Sequence, residues 1–115
     1  MNENEIFTKR KCQPCEGMGN PLAQEKALEY LRQVDGWHIS EDGLRIFREY
    51  VTKNFLDAVE VIKKIAKIAE TEGHHPDIHL TGYKKLRIDL STHAIGGLSE
   101  NDFIIAAKIN TLSIT

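Results

Sequence analysis

Long apolar stretches are missing from this chain. Nothing in it approaches the roughly 20 residues that a membrane-spanning helix needs, so no transmembrane segment is expected. Met1 to Lys11 is polar and charged, without the apolar core of a signal peptide, and the expected compartment is the cytoplasm. Strong charge of one sign is missing too. The formal net charge is −2, which gives no general attraction to nucleic acid or to an anionic membrane. Cysteine is scarce: Cys12 and Cys15 are the only two, and in a reducing compartment they are expected as free thiols. Their spacing is half that of a zinc site, and no second half follows. Internal repeats, low-complexity tracts and a glycine-rich phosphate loop are absent as well.

What is present has the balance of an ordinary globular domain, with 41% hydrophobic and 28% charged residues over 115 positions. That length supports one modest core. Residues 1–20 lack apolar periodicity and contain Pro14, Gly17 and Gly19, so they are expected as a flexible lead before a single domain over residues 21–115. A first helix is expected from about Pro21, capped by Asn20 and ending before Gly36, with Ala27, Leu28, Leu31 and Val34 as its stripe. Trp37 to Ser40 and Leu44 to Val51 read as a hairpin around Glu41-Asp42-Gly43.

The second helix has the plainest pattern. Phe55, Ala58, Val59, Ile62, Ile65, Ala66 and Ala69 repeat at helical spacing, Val61 and Ile68 widen the stripe, and Gly73 stops it. Ile78 to Leu80 and Lys85 to Thr92 give another hairpin, turning from Thr81-Gly82. Leu86, Ile88 and Leu90 share one face of it, and Arg87, Asp89 and Ser91 the other. The last helix opens with Ser99 as N-cap, Asp102 at its third position, and Leu98 with Phe103 as a hydrophobic staple, while Ile104 and Ala107 point inward. The order α-β-β-α-β-β-α predicts an α+β fold, a four-stranded antiparallel sheet with three helices packed on one face. A homo-oligomer that pairs sheet edges would protect what that leaves bare.

Histidine carries the chemical signal. His74, His75 and His79 fall within six residues just after a helix end, and His93 follows. Imidazole gives and takes protons near neutrality, and loops held by rigid elements are where such groups work. A plainer account stands beside this one: histidines at a helix C-terminus favour the negative end of its dipole. A shared metal ion fits the spacing poorly. Neighbouring side chains in extended backbone point opposite ways, which separates His74 from His75. Pro76 breaks the helix that would pair His75 with His79.

Glu70-x-x-x-His74-His75-Pro76, then Tyr83, Ser91-Thr92-His93, Gly97-Leu98-Ser99-Glu100 and Asp102, resembles the signature of the pterin-4a-carbinolamine dehydratase family. The resemblance extends in character over residues 21–110, and the lead Cys-Gln-Pro-Cys-Glu-Gly resembles that of some bacterial members. It implies a hydro-lyase that removes water from 4a-hydroxytetrahydropterin to give quinonoid dihydropterin, in tetrahydropterin recycling, without metal or organic cofactor. It implies His74, His75, His93 and Asp102 as catalytic residues. Substrate contacts are implied from Glu70, Pro76, Ile78, His79, Tyr83, Ser91 and Thr92. A homodimer or homotetramer is implied, with no direct nucleic-acid partner and no membrane. Some members carry an aromatic residue where this chain has Ile78, so a stacking contact on the pterin is either lost here or supplied otherwise, with His79 and Tyr83 as the candidates.

The chemistry suits these residues. Dehydration needs one proton delivered to the leaving hydroxyl and another removed from N5, and two imidazoles in different environments can do both. His74 and His93 are the expected acid/base pair, in either order, with His75 positioning the substrate. Asp102 has a second reading as the capping-box partner of Ser99. Glu70, Lys85 and Arg87 also read as solvated charges. A competing function is a non-catalytic module of the same fold that stabilises a partner's dimer, and a Cys/His metal protein is a third.

Overall fold

Alternation along the strands decides how the sheet lies. In the computed structural model, which describes residues 7–13 and 19–113, the elements run α1 (Gln24–Leu31), β1 (His38–Ile39), β2 (Ile46–Val51), α2 (Phe55–Glu72), β3 (Asp77–Thr81), β4 (Lys85–Leu90), a 3-10 turn (His93–Ile95) and α3 (Glu100–Asn110). The strands form one antiparallel sheet in the order β1-β2-β4-β3. Register sets Ile46 opposite Leu90, Tyr50 opposite Leu86 and Ile78 opposite Ile88, so these side chains share a face. Ile46, Leu86, Ile88 and Leu90 are buried there beneath the helices. Burying each stabilises the fold by about 1.5–3 kcal/mol relative to leaving it exposed. The odd positions of β3 face the other way and are exposed. This is the expected α+β architecture.

α2 begins at Asn54, whose side chain accepts from the Asp57 amide, and ends at Gly73 in the left-handed region (φ 68°). Its buried line is Ala58, Val61, Ile65 and Ala69. Phe55 and Ala66, expected on the inward stripe, are exposed. The apolar arc was wide enough to pack in either direction. The chosen side places two alanines at the contact, where small side chains permit close approach.

Three local expectations need correction. α1 starts at Gln24 with no side-chain cap, because residues before it are extended and the Leu22 amide donates to the Leu98 carbonyl (2.8 Å). Leu28 is consequently outside the core, at 37% exposure. β1 and β4 are shorter than expected, since Ser91 and Thr92 leave the sheet for the loop before α3.

The third correction concerns the lead. Residues 7–13 pack on the domain, so residue 21 is not a packing boundary. Phe7 is 1% exposed, with its ring 5.1 Å from Tyr30 and 6.3 Å from Phe103. The side chain of Asn101 accepts from the Gln13 amide and donates to the Gln13 carbonyl. This cover explains α3, which is buried nearly all round rather than on one stripe. Cys15 and the rest of residues 14–18 lie outside the described residues.

Candidate active site

Antiparallel pairing brings the start of β3 beside the end of β4. The loop after α2, with His74 and His75, therefore meets the loop after β4, with Thr92 and His93. Gly73 allows the sharp exit from α2, and the His74 amide still bonds back to the Ala69 carbonyl (3.2 Å). The second loop is closed by a bridge between Thr92 and Gly97. Gly97 has no room for a side chain, since a Cβ would lie 2.9 Å from Pro21.

At the junction His74 and Asp102 are buried together. Their Nε2 and Oδ1 atoms are 2.6 Å apart, with exposures of 6% and 0%. The other Asp102 oxygen accepts from the Thr92 hydroxyl (2.9 Å) and the Ser99 amide (3.0 Å). Thr92 and Ser99 hydroxyls are 2.7 Å apart, and the Asn101 amide donates to Ser99 Oγ (3.2 Å). Asp102 also sits in the first turn of α3, where the helix dipole favours negative charge. Its two readings coincide: it completes the capping box and holds a histidine.

His75 points away from this pair. Its Nε2 lies 2.6 Å from Glu70 Oε2, and both side chains are largely exposed. His93 opens the 3-10 turn directly after Thr92 and is exposed. Pro76 and Ile78 are half-buried, with Ile78 against the core.

Three other expected residues stand elsewhere. His79 lies on the open sheet face, 3.3 Å from buried Asp89, which also binds Arg87. A cavity of about 380 Å³ there is lined by His79, Lys85 and Arg87 among others, but not by His74, His75 or His93. Tyr83 is in the β3–β4 turn, at the far end of β3 from His75, with φ of 57°. Ser91 donates to the Leu44 carbonyl (2.7 Å), fastening the β1–β2 turn.

Ser99 was expected only as a cap, yet its hydroxyl belongs to the Asp102 network. Its place three residues before Asp102 was the signal available. Glu72, also unanticipated, ties the end of α2 to two other parts of the chain. It accepts from Lys108 Nζ (2.6 Å) and the Cys12 amide (2.9 Å). Burial pushes this carboxyl up. The hydrogen bonds from Lys108 and Cys12 and the charges of Lys108 and Lys11 outweigh that and hold it below its usual range. Among the described residues, no three His, Cys, Asp or Glu side chains are gathered as a metal-binding group, and no helix is long and apolar enough to cross a membrane.

Comparison with known proteins identifies the family and the fold. Residues 20–112 match the family described as pterin 4 alpha carbinolamine dehydratase. An Arabidopsis thaliana protein named pterin-4-alpha-carbinolamine dehydratase 2, mitochondrial, is 43% identical over 108 residues, covering 91% of this chain and 58% of its own length. The chain thus spans little more than half of that relative. A Nitrosospira multiformis protein, named provisionally as a pterin-4-alpha-carbinolamine dehydratase, is 48% identical over 103 residues, covering 90% of this chain and 88% of its own. Among solved structures, a transcriptional coactivator/pterin dehydratase from Brucella melitensis superposes with a TM-score of 0.74 at 32% identity. It covers 80% of this chain and 97% of its own.

Proposed function

The chain belongs to the pterin 4 alpha carbinolamine dehydratase family, and from that premise we propose that it removes water from a 4a-hydroxytetrahydropterin. The C4a–OH bond breaks, the hydroxyl leaves as water with an added proton, N5 loses its proton, and a C4a=N5 double bond forms. No oxidant or reductant takes part.

The observation that carries the histidine mechanism is the buried contact of His74 with Asp102. An ionised carboxylate only accepts, so Nε2 donates to it and Nδ1 keeps the lone pair. Among the described residues Nδ1 has no hydrogen-bond partner. In this reading His74 takes the N5 proton through Nδ1, and the resulting imidazolium faces the Asp102 carboxylate away from water, where the attraction is stronger. His93 delivers a proton to the leaving hydroxyl and is recharged from solvent, to which it is exposed. His75, held by Glu70, orients the pterin. Each acid or base contributes on the order of 10² to 10⁴ in rate. In this reading the enzyme works in the cytoplasm as a homodimer or homotetramer and delivers quinonoid dihydropterin, formed after hydroxylation reactions, to a separate reduction step that completes tetrahydropterin recycling.

Stopped-flow dehydration of chemically generated 4a-hydroxytetrahydropterin tests this. Acceleration by wild type that collapses in His74→Ala and His93→Ala supports the assignment. Folded wild type that leaves the spontaneous rate unchanged overturns it. The name of the Brucella melitensis protein couples dehydratase with coactivator, which favours a second reading as a partner-stabilising module. On that reading His74→Ala would leave the stabilising effect on a partner intact.

A further inference from the structure

We infer that Thr92 is a positioning residue rather than a substrate contact: with Ser99 it forms a one-way hydrogen-bond relay that holds Asp102 so that His74 presents Nδ1 as its base. The inference rests on the reading of His74 as the proton acceptor.

Donor counting fixes the direction of the relay. Thr92 has one hydroxyl hydrogen and gives it to Asp102 Oδ2 (2.9 Å). In the 2.7 Å contact between the hydroxyls Ser99 must then be the donor. The Asn101 amide supplies the hydrogen that Ser99 Oγ accepts (3.2 Å). Hydrogens thus run from the α3 amide through Ser99 and Thr92 to Asp102, and none can reverse without leaving a buried donor unpaired. Asp102 Oδ2 is filled by Thr92 and by the Ser99 amide, so Oδ1 alone remains for His74.

The consequence is chemical as well as structural. A carboxylate anchored on one oxygen cannot rotate to offer the other, and His74 Nε2 keeps its hydrogen. The Thr92 side chain is 1% exposed as a residue and its hydroxyl is committed on both sides, which leaves it nothing to offer a pterin. The same relay explains why the loop between Thr92 and Ser99 is pinned at both ends. An active-site loop carrying His93 is thereby fixed to the carboxylate that orients His74.

The measurement is made on full-length protein. Imidazole ¹⁵N shifts of His74 report the tautomer at rest, and steady-state kinetics separate kcat from KM. Thr92→Val keeps the side-chain shape and removes the donor. The expected result is a mixture of His74 tautomers and a kcat lower by on the order of tenfold to a hundredfold with KM unchanged, while Thr92→Ser restores both. Ser99→Ala, read by the same shifts, should give a smaller mixing and serves if the valine variant does not fold. A single Nε2–H tautomer in both variants overturns the relay. A raised KM with kcat retained makes Thr92 a substrate contact and also overturns it. Full turnover by His74→Ala would sink the base assignment alone, because the tautomer readout needs no turnover.

Discussion

His74 and His75 are neighbours in the chain, each with a carboxylate 2.6 Å from its Nε2, yet they live under different physics. The Asp102 carboxylate is out of water and satisfied by three donors, so it has one geometry available. The Glu70 carboxylate is 77% exposed, and water competes for every contact it makes. The comparison teaches that distance alone does not assign a role. The same contact is a fixed orienting device in one place and a loose tether in the other, and burial decides which.

Activity should separate the two pairs most widely. Asp102→Asn places an amide where the acceptor stood and lets His74 change tautomer. Its kcat/KM is expected to fall by about 10² to 10⁴-fold in the stopped-flow assay. Glu70→Gln should cost at most about fivefold, in line with an exposed pair contributing up to about 1 kcal/mol. Equal losses in the two variants would break the comparison.

Stability should separate them next. His74→Ala leaves a buried carboxylate short of a partner and is expected to cost about 1–3 kcal/mol. His75→Ala should stay within about 0.5 kcal/mol. Urea midpoints at constant m-value measure both.

The sequence disclosed the two pairs unequally, and for physical reasons. The N-cap of α3 is local: Ser99 and Asp102 satisfy amides within one turn, so four residues suffice to read it. β4 is nearly as local, because alternation at Leu86, Ile88 and Leu90 needs one strand only. The contact of His74 with Asp102 spans 28 residues and follows from strand register, so the residues were gathered by family resemblance and not by pattern. Phe7 was invisible for a related reason. A single aromatic residue in a polar lead has no period, and its burial depends on Tyr30 and Phe103 arriving from elsewhere. The buried side of α2 was hidden by excess, since its apolar arc exceeded what one interface could cover.

Glu72 sharpens the comparison as a carboxylate of intermediate kind, 8% exposed but held by a charged lysine. Its folded pKa is depressed, so its contribution is fully present above the unfolded carboxylate value of about 4.3 and is lost as pH falls through the lower folded value. Glu72→Gln should cost about 1 kcal/mol at pH 7 and flatten the decline in thermal midpoint below about pH 5. An unchanged acid limb would mean that Lys108 and the Cys12 amide do not hold this carboxylate in solution.

The smallest effect expected is the coupling between Glu70 and His75 itself. A double-mutant cycle with Glu70→Gln and His75→Ala isolates it from what each side chain does alone. It should come to about 0.5 kcal/mol or less at low salt, and vanish at 1 M salt, where the screening length is about 3 Å. The contact is short, but both side chains give up rotamer freedom and hydration to make it, and those costs nearly match the attraction. A coupling above about 1 kcal/mol that survives high salt would exceed what an exposed pair can supply. It would mean that something covers Glu70 and His75 in solution. A second copy of the chain is the first occupant to test, by sedimentation of wild type against the double variant.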